Sequence, residues 1–341
     1  MTEPKIHVAL VGAGRIGKIH AENLATRVRG AELAAIADVN LAAAQILADE
    51  WNVTRVADDY RSLLDDETIN AVLIASATDT HASIIEHAAA AGKHIFCEKP
   101  IAHDLAEIDR ALAAVARAGV KLQIGFNRRF DPNFHKARAL IAAGRIGAPY
   151  LLHIISRDPA PPPLDYLRVS GGIFLDMTIH DFDMARFLIG SEVCQVFATG
   201  SVRVDPQIST VGDIDTAVTV LWFENGVIGT IDNCRAASYG YDQRVEVFGA
   251  NGAVAVANET PDEAILSDRE GIHASLPHYF FLERYTEAYV QELRAFVRAI
   301  RENSAPPVTG RDGRIPVVMG LAAIKSLNEH RPVRLDEIDK G

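Results

Sequence analysis

A glycine-rich turn near the amino terminus has the residue types and spacing of a phosphate-binding loop. The sequence Gly12-Ala13-Gly14-Arg15-Ile16-Gly17 follows the apolar run Ile6–Val11 and precedes a helical pattern. In a strand–turn–helix context, G-x-G-x-x-G is a fingerprint of dinucleotide binding. Gly12 allows the tight turn, Gly14 lets a pyrophosphate approach the backbone, and Gly17 lets the helix pack against the strand. The phosphates would lie at the helix N-terminus, where amide groups and the helix dipole favour negative charge.

An aspartate follows the next strand pattern at the distance that dinucleotide binding requires. The apolar run at 32–37 ends in Asp38, which is about the spacing of the acid that binds the adenosine ribose hydroxyls. Because its charge would repel a 2′-phosphate, Asp38 predicts NAD rather than NADP. The alternative interpretation is a glycine-rich turn of another α/β domain, with Asp38 capping a helix.

Lys99 has the surroundings of a firmly placed cation. It follows a strand pattern at 94–97 and precedes Pro100, which restricts the backbone of Lys99 to extended geometry. A placed ammonium group can stabilise a developing alkoxide. The alternative interpretation is an ordinary surface lysine at a strand end, since most lysines are exposed.

Asp176, His180 and Asp183 follow one another at i, i+4 and i+7 in a pattern that predicts a helix from about residue 175. Such residues share one helix face, and a carboxylate beside an imidazole can orient a general base. Three other interpretations compete with catalysis. They are a solvated acidic face, a structural hydrogen-bond network, and a metal site, although further ligands at a known spacing are lacking.

The elements that must position these residues fall into two regions. Strand and helix patterns alternate up to about residue 124, which predicts right-handed βαβ units and a parallel sheet. Ligands then bind beyond the carboxyl ends of the strands, where Lys99 and the loop at 76–81 fall. Residues 193–266 read as strands joined by hairpins at 224–226 and 249–252, which indicates a mainly antiparallel sheet. Two helices are expected at 285–301 and 316–327.

The predicted fold class is therefore α/β. An N-terminal Rossmann dinucleotide-binding domain at 1–124 precedes a C-terminal α+β domain at 125–341, which contains a large, mainly antiparallel open sheet. The helix that carries Asp176 should cover one face of this sheet. The other face needs either solvent or a partner subunit, and the apolar alternation on its long strands favours the partner.

The composition excludes several classes of function. A formal net charge of −11 argues against nucleic acid or an anionic membrane as the main partner. No apolar stretch approaches the roughly 20 residues of a membrane span, and no signal peptide is evident. The three cysteines are widely spaced, which predicts neither a disulfide framework nor a zinc site and fits the reducing cytoplasm.

Taken together, these motifs resemble the glucose–fructose oxidoreductase/inositol dehydrogenase/rhizopine catabolism (Gfo/Idh/MocA) family over nearly the whole chain. The resemblance rests on the glycine turn, on Glu98-Lys99-Pro100, on Gly125–Arg129, and on Gly171-Gly172 through Asp183. Many members have Pro-Asn after the fourth strand, where this chain has Ala77-Thr78.

The resemblance implies a set of functional residues and no metal. Catalysis is assigned to Lys99, Asp176 and His180. The expected cofactor contacts are Gly12, Gly14, Arg15, Ile16, Gly17, Asp38, Ser76, Thr78, His81, Glu98 and Lys99. The expected substrate contacts are Lys99, Asn127, Arg129, Arg157, Asp176, His180, Asp183, Tyr239 and Tyr285.

Within the family the resemblance is to bacterial members that oxidise inositol. It implies NAD-dependent oxidation of a ring secondary alcohol, from myo-inositol to 2-keto-myo-inositol, in inositol catabolism by a homotetramer. The runs Ser156–Pro159 and Ser238–Asp242 contribute to this interpretation. Alternative substrates are scyllo-inositol, another inositol or an aldose sugar. A non-catalytic NAD-binding regulator is a further alternative, which the intact Lys99, Asp176 and His180 argue against.

Overall fold

The chain divides into two compact units in a computed structural model that describes residues 4–339. The first unit holds the chain up to Phe130 together with Glu287–Ile315, and the second holds Asp131–Thr286 with the chain from Pro316 onward. This grouping departs from a simple boundary between residues 124 and 125, because a C-terminal segment joins the first unit.

The first unit contains a parallel sheet with helices between its strands. The strands are β1 (Ile6–Val11), β2 (Ala31–Ala37), β3 (Arg55–Ala57), β4 (Ala71–Ile74), β5 (His94–Glu98) and β6 (Leu122–Gly125). The helices are α1 (Arg15–Thr26), α2 (Leu41–Trp51), α3 (Arg61–Leu64), α4 (Thr78–Ala90) and α5 (Leu105–Ala118). The order β3-β2-β1-β4-β5-β6 is that of a doubly wound sheet, with its topological switch point between β1 and β4. The predicted Rossmann fold is confirmed.

The second unit is built around a mixed sheet. Its elements are α6 (Pro132–Ala142), β7 (Pro149–Arg157), α7 (Leu164–Leu167), α8 (Gly172–Asp176), α9 (Thr178–Ile189), β8 (Val193–Ser201), β9 (Thr216–Phe223), β10 (Ile228–Cys234), β11 (Asp242–Gly249), β12 (Gly252–Val256), β13 (Ile265–Asp268), β14 (Gly271–Ala274) and α10 (Phe281–Arg284). The chain ends with α11 (Thr286–Arg301), α12 (Gly310–Glu329) and β15 (Val333–Arg334), and single 3-10 turns span Asn127–Phe130, Pro206–Val211 and Leu335–Glu337.

The sheet of the second unit has the order β12-β11-β7-β10-β9-β8-β15. Pairing is antiparallel except between β7 and β10, so the prediction of a mainly antiparallel sheet is confirmed. The predicted hairpins β9–β10 and β11–β12 both form. At the first of them, Gly226 has φ +86°, a conformation that glycine adopts without strain.

One face of this sheet contacts α9 and the other is open. On β10, Asn233 donates a hydrogen bond of 2.8 Å to Asp181 of α9, which confirms that this helix region covers the sheet. Because strand side chains alternate, the neighbours of Asn233 point to the open face. Partly exposed apolar side chains lie on that face: Leu151, Val218, Ile228 and Phe248.

One of the predicted helices is broken. The helix expected from about 175 is two helices, with Met177 between them. The hydroxyl of Thr178 lies 2.8 Å from Oδ1 of Asn233 and 3.2 Å from the Ile173 carbonyl oxygen. The helix expected at 285–301 forms as α11, which begins at Thr286, and Tyr285 separates it from the short α10. The helix expected at 316–327 is longer, and Pro316 lies inside α12.

Helix α11 completes the core of the first unit. Its apolar residues Val290, Leu293 and Phe296 pack in one cluster with Leu10 of β1 and Phe96 of β5. This packing explains why Glu287–Ile315 belongs to the first unit. Over residues 4–339, none of the helices is both long enough and apolar enough to cross a membrane.

Candidate active site

The glycine turn has the geometry that its sequence predicts. Gly12 has φ +106°, and a Cβ atom there would lie 2.5 Å from the carbonyl oxygen of Ala75. A Cβ atom at Gly17 would lie 1.9 Å from the carbonyl oxygen of Gly12, whereas at Gly14 it would meet nothing within 4 Å. Gly12 and Gly17 are therefore needed for the fold itself. Gly14 borders open space, as expected for the residue that a pyrophosphate approaches.

The N-terminus of α1 fits an anionic group. The first amide groups of a helix, here those of Arg15, Ile16 and Gly17, have no intrahelical acceptor. Gly14 occupies the N-cap position without a side-chain cap, and the first turn carries no acidic side chain. The exposed Gly14 and the partly exposed Ile16 leave this turn accessible to phosphate oxygens.

Asp38 lies at the carboxyl end of β2 and contacts the glycine turn. Its Oδ2 accepts a hydrogen bond from the Ala13 amide at 2.7 Å, and its Oδ1 accepts one from the Asn40 amide at 2.8 Å. Asn40, not Asp38, caps α2 through the Ala43 amide. The alternative of Asp38 as the helix cap is thereby removed, and the carboxylate lies where a ribose-binding acid is expected.

The segment after β4 is shorter than the predicted loop. Helix α4 begins at Thr78. Thr78 and His81, which were expected in the loop, therefore lie in the first turn of this helix. The hydroxyl groups of Ser76 and Thr80 are 2.7 Å apart. His81 is buried, with Nδ1 2.8 Å from the Pro100 carbonyl oxygen and Nε2 3.1 Å from that of Ser76. Both ring nitrogens therefore face the protein backbone.

The Glu98-Lys99-Pro100 segment follows β5. The Lys99–Pro100 peptide bond is cis, and Lys99 is half-buried. Oε1 of Glu98 lies 2.6 Å from Nε2 of the fully buried His20. Glu98 was expected to contact the cofactor, and the contact seen here is with His20.

Asp176 and His180 belong to α8 and α9 of the second unit. Asp176 is the last residue of α8, where its Oδ1 accepts a hydrogen bond from the Tyr166 hydroxyl at 2.8 Å. Its Oδ2 accepts one from Nη1 of Arg235 at 3.1 Å. His180 is half-buried in the first turn of α9, and Asp183 is almost fully buried one turn further on. Burial of Asp183 rules out a solvated acidic face.

Sequence reasoning missed Arg235. This arginine follows β10, its side chain is 1% exposed, and its Nη2 lies 3.4 Å from Oδ2 of Asp213. It therefore bridges Asp176 and Asp213, from 59 and 22 residues away along the chain. Strand alternation gives no indication of such a pairing, because the register that places Arg235 beside Asp176 is set by long-range contacts.

The other predicted substrate contacts are distributed over both units. Arg157 and Tyr239 are brought together, with Nη1 of Arg157 donating to the Tyr239 hydroxyl at 3.0 Å. Arg157 also pairs with Asp232, and Tyr239 donates to Asp242. Asp232 alternates with Asn233 on β10, so this network lies on the sheet face that α9 does not cover.

In the first unit, Asn127 is buried in the 3-10 turn, and Arg129 pairs with Asp312 at 2.9 Å. In the second unit, Tyr285 is buried at 6.0 Å from the ring of Tyr241. Arg129 and Tyr285 thus each have a protein neighbour, and Asn127 is buried. Their predicted contacts with substrate stay predictions.

Two family models match most of this chain. Residues 6–126 match the model of the oxidoreductase family with an NAD-binding Rossmann fold, and residues 134–255 match the GFO/IDH/MocA C-terminal domain. The chain belongs to the Gfo/Idh/MocA family of oxidoreductases, as the motifs predicted.

Several relatives are similar over essentially their whole length. The chain is 48% identical to a myo-inositol 2-dehydrogenase of Thermotoga maritima, covering 98% of this chain and 99% of that one. It is 44% identical to an inositol 2-dehydrogenase of Rhizobium meliloti, covering 97% and 99%. A crystal structure of scyllo-inositol dehydrogenase from Lactobacillus casei, with bound NAD(H) and scyllo-inositol, is 32% identical with a TM-score of 0.91 and covers 97% and 99%.

Proposed function

We propose that this protein is an NAD-dependent dehydrogenase that oxidises a ring secondary hydroxyl group of an inositol, converting myo-inositol to 2-keto-myo-inositol. The observation that carries the proposal is the arrangement of the first unit. The glycine turn, Ser76 and Lys99 follow β1, β4 and β5, at the carboxyl edge of one parallel sheet where ligands of such folds bind. The named activities of the relatives at 48% and 44% identity give the substrate class.

The first unit holds the cofactor in this proposal, and the second binds the substrate. The amides at the start of α1 receive the pyrophosphate and Asp38 receives the adenosine ribose, which favours NAD over NADP. When bound, NAD⁺ supplies the acceptor for the hydride that leaves the carbinol carbon, and the protein supplies placement.

His180 acts as the general base and takes the proton of the reacting hydroxyl group. Tyr166 and Arg235 fix both oxygens of Asp176, and Asp176 in turn orients the base and the substrate. The ammonium group of Lys99 donates a hydrogen bond to the same substrate oxygen and stabilises its alkoxide character. The alcohol thus loses one proton and one hydride and becomes a ketone.

scyllo-Inositol is the second candidate substrate, because the L. casei enzyme solved with that compound shares the fold over 97% of this chain. A screen of NAD reduction by the purified protein with myo-inositol, scyllo-inositol, D-chiro-inositol and glucose separates these substrates. We expect the highest kcat/KM with myo-inositol, and a preference for glucose would contradict the proposed substrate class.

We also propose a cytoplasmic homotetramer. Support for assembly comes from the open face of the second sheet, which exposes Leu151, Val218, Ile228 and Phe248. Exposed apolar side chains grouped on one sheet face are a feature of interaction sites. Cys97, Cys194 and Cys234 are free thiols, which is compatible with a reducing compartment.

The decisive test of the mechanism is His180→Ala, assayed separately for turnover and for NAD binding. Loss of a general base lowers the rate by about 10²- to 10⁴-fold, whereas NAD binding should be unchanged because its residues lie in the first unit. Wild-type oxidation should also rise with pH, since the base must be neutral. His135→Ala is the matched control, because His135 is an exposed residue on α6 of the same unit. Turnover retained in His180→Ala with an unchanged pH profile would remove His180 from its role.

A further inference from the structure

Two buried histidines contact the residues on either side of Lys99. The first is His20 on α1, which is fully buried. Its Nε2 atom lies 2.6 Å from Oε1 of Glu98. The ring of His20 is itself fixed, with edge-to-face contacts to Phe96 at 5.3 Å and Tyr289 at 5.8 Å between ring centroids. Such aromatic contacts prefer a defined geometry, so His20 offers Glu98 a rigid partner.

The carboxylate of Glu98 is confined on its other side as well. A Cβ atom at Gly125 would lie 2.9 Å from Oε2 of Glu98, so the carboxylate packs directly on the backbone of β6. The absence of a side chain at Gly125 thus makes room for Glu98. Because both neighbours belong to the sheet and its first helix, Glu98 has one well-defined position.

Glu292 of α11 completes this cluster. One side-chain nitrogen or oxygen atom from each of His20, Glu98 and Glu292 lies within 4.8 Å of the other two. Among the described residues, neither carboxyl oxygen of Glu292 has a hydrogen-bond partner, and the side chain is fully buried. Burial, and then the charge of Glu98, raise the pKa of Glu292 well above its ordinary value. The raised pKa favours the protonated form of Glu292, which would place no second negative charge beside Glu98.

The second histidine is His81 in the first turn of α4. It is 2% exposed, and its Nδ1 lies 2.8 Å from the carbonyl oxygen of Pro100. Its Nε2 lies 3.1 Å from the carbonyl oxygen of Ser76. One ring therefore joins the residue after Lys99 to the segment that follows β4.

We propose that His20 and His81 are positioning residues for Lys99, holding Glu98 and Pro100 so that the lysine ammonium group is placed for alkoxide stabilisation. The proposal rests on the proposed function, in which Lys99 contacts the reacting oxygen. A lysine side chain is long and rotatable, and small displacements of a catalytic group are costly. Anchoring the Glu98 side chain on one side of Lys99 and the Pro100 carbonyl on the other reduces the volume that the Nζ atom of Lys99 can explore.

Two pairs of variants test this proposal. His20→Leu and His81→Leu remove the hydrogen bonds. His20→Gln retains a donor near the position of Nε2, and His81→Asn retains one near Nδ1. We expect each leucine variant to lower kcat for inositol by about 10- to 100-fold, with KM and the Kd for NAD changed by less than about threefold. The amide variants should recover kcat to within about threefold of the wild type. His94→Leu, at the other end of β5, is the matched control and should leave kcat unchanged.

The Lys99→Ala background separates positioning from general structural damage. If the histidines act through Lys99, His20→Leu and His81→Leu should lower kcat no further in that background, because the double-mutant cycle then shows full coupling. Equal losses in both backgrounds, or leucine variants with wild-type kcat, would overturn the positioning role. If Lys99→Ala itself keeps full turnover, the proposed function of Lys99 fails instead, so the two failures are distinguishable.

Discussion

At the scale of single residues, the partners of Asp176 change the interpretation of the site. The spacing of Asp176 and His180 suggested a carboxylate whose main partner is the imidazole. In the structure both oxygens of Asp176 accept hydrogen bonds, from Tyr166 and from the buried Arg235. Removing one partner of a buried charge pair destabilises the folded protein. The position of Asp176 therefore depends on Arg235, which lies far away in the sequence.

Glu292 gives a residue-scale prediction about pH and stability. Its pKa is raised in the folded protein, so the folded state keeps a proton that the unfolded chain loses above about pH 4.5. The contribution of Glu292 to the free energy of unfolding is therefore fully present below that pH, and it is lost as the pH rises towards the pKa of Glu292 in the folded protein. Glu292→Gln, which mimics the neutral acid, should gain stability over the wild type between pH 5 and pH 8, by at most about 1.4 kcal/mol per pH unit.

The measurement is urea denaturation of both proteins at a series of pH values. Glu287→Gln is the control, because Glu287 lies on the same helix in an exposed pair with Arg27, and its effect should vary little over this range. A difference between Glu292→Gln and wild type that does not change with pH would contradict the assignment of a neutral Glu292. Stoichiometric divalent metal in the purified wild type would contradict it too.

Asp38 gives a second residue-scale prediction, about cofactor choice. The wild type should prefer NAD, because the Asp38 carboxylate binds ribose hydroxyls and repels a 2′-phosphate. Combining Asp38→Ser with Val39→Lys, at a neighbouring position that is 94% exposed, should relax the preference. The ratio of kcat/KM for NAD to that for NADP is the measurement.

Asp38→Asn serves as the comparison for this prediction, since it removes the charge and keeps an acceptor for the Ala13 amide. It should weaken the discrimination without unfolding the glycine turn. A wild type that uses both cofactors equally well at equal concentrations would show that the role assigned to Asp38 is wrong.

At the scale of elements, the turn between β1 and α1 contains one glycine needed for folding, Gly17, and one predicted to be needed for cofactor binding, Gly14. Gly14→Ala adds a methyl group in open space, whereas Gly17→Ala drives one into the carbonyl of Gly12. We expect Gly14→Ala to keep the thermal stability of the wild type but to bind NAD at least about tenfold more weakly, because the backbone approach to the pyrophosphate is blocked. Gly17→Ala should lower the stability by about 1–3 kcal/mol through overpacking.

Calorimetry for Tm and fluorescence titration for the Kd of NAD distinguish the two glycine variants. Each variant is the control of the other, because both changes are the same and only the surroundings differ. Unchanged NAD affinity in Gly14→Ala would mean that the pyrophosphate does not bind at the start of α1.

At the scale of the whole molecule, the open face of the second sheet predicts an assembly. Its exposed apolar residues should be covered by another copy, and a charge placed among them should prevent that. Ile228→Glu, on β10 in the middle of this sheet, should shift sedimentation from a homotetramer to smaller species at micromolar concentration. Ile46→Glu is the control, because Ile46 is an exposed residue on α2 of the first unit. A monomeric wild type would contradict the prediction.

The sequence by itself determined the features that depend on local chemistry. Strand periodicity, the glycine spacing and the turn residues at 224–226 identified the Rossmann sheet, the turn that follows β1 and the main hairpins. These signals are local because side-chain period, backbone sterics and turn geometry involve residues within a few positions of each other. The motif set identified the family for the same reason, and the family models confirmed it.

Only the tertiary structure decided which distant groups meet. It joined α11 to the core of the first unit, paired Arg235 with Asp176 and turned His81 towards Pro100 and Ser76. An amphipathic helix shows in sequence that it buries one face, but not against which partner. Strand register and helix packing determine which charged and polar side chains lie close together. Contacts between distant residues set the register and the packing. The physical reason is that burial and pairing are properties of the assembled chain, whereas the local pattern fixes only the elements.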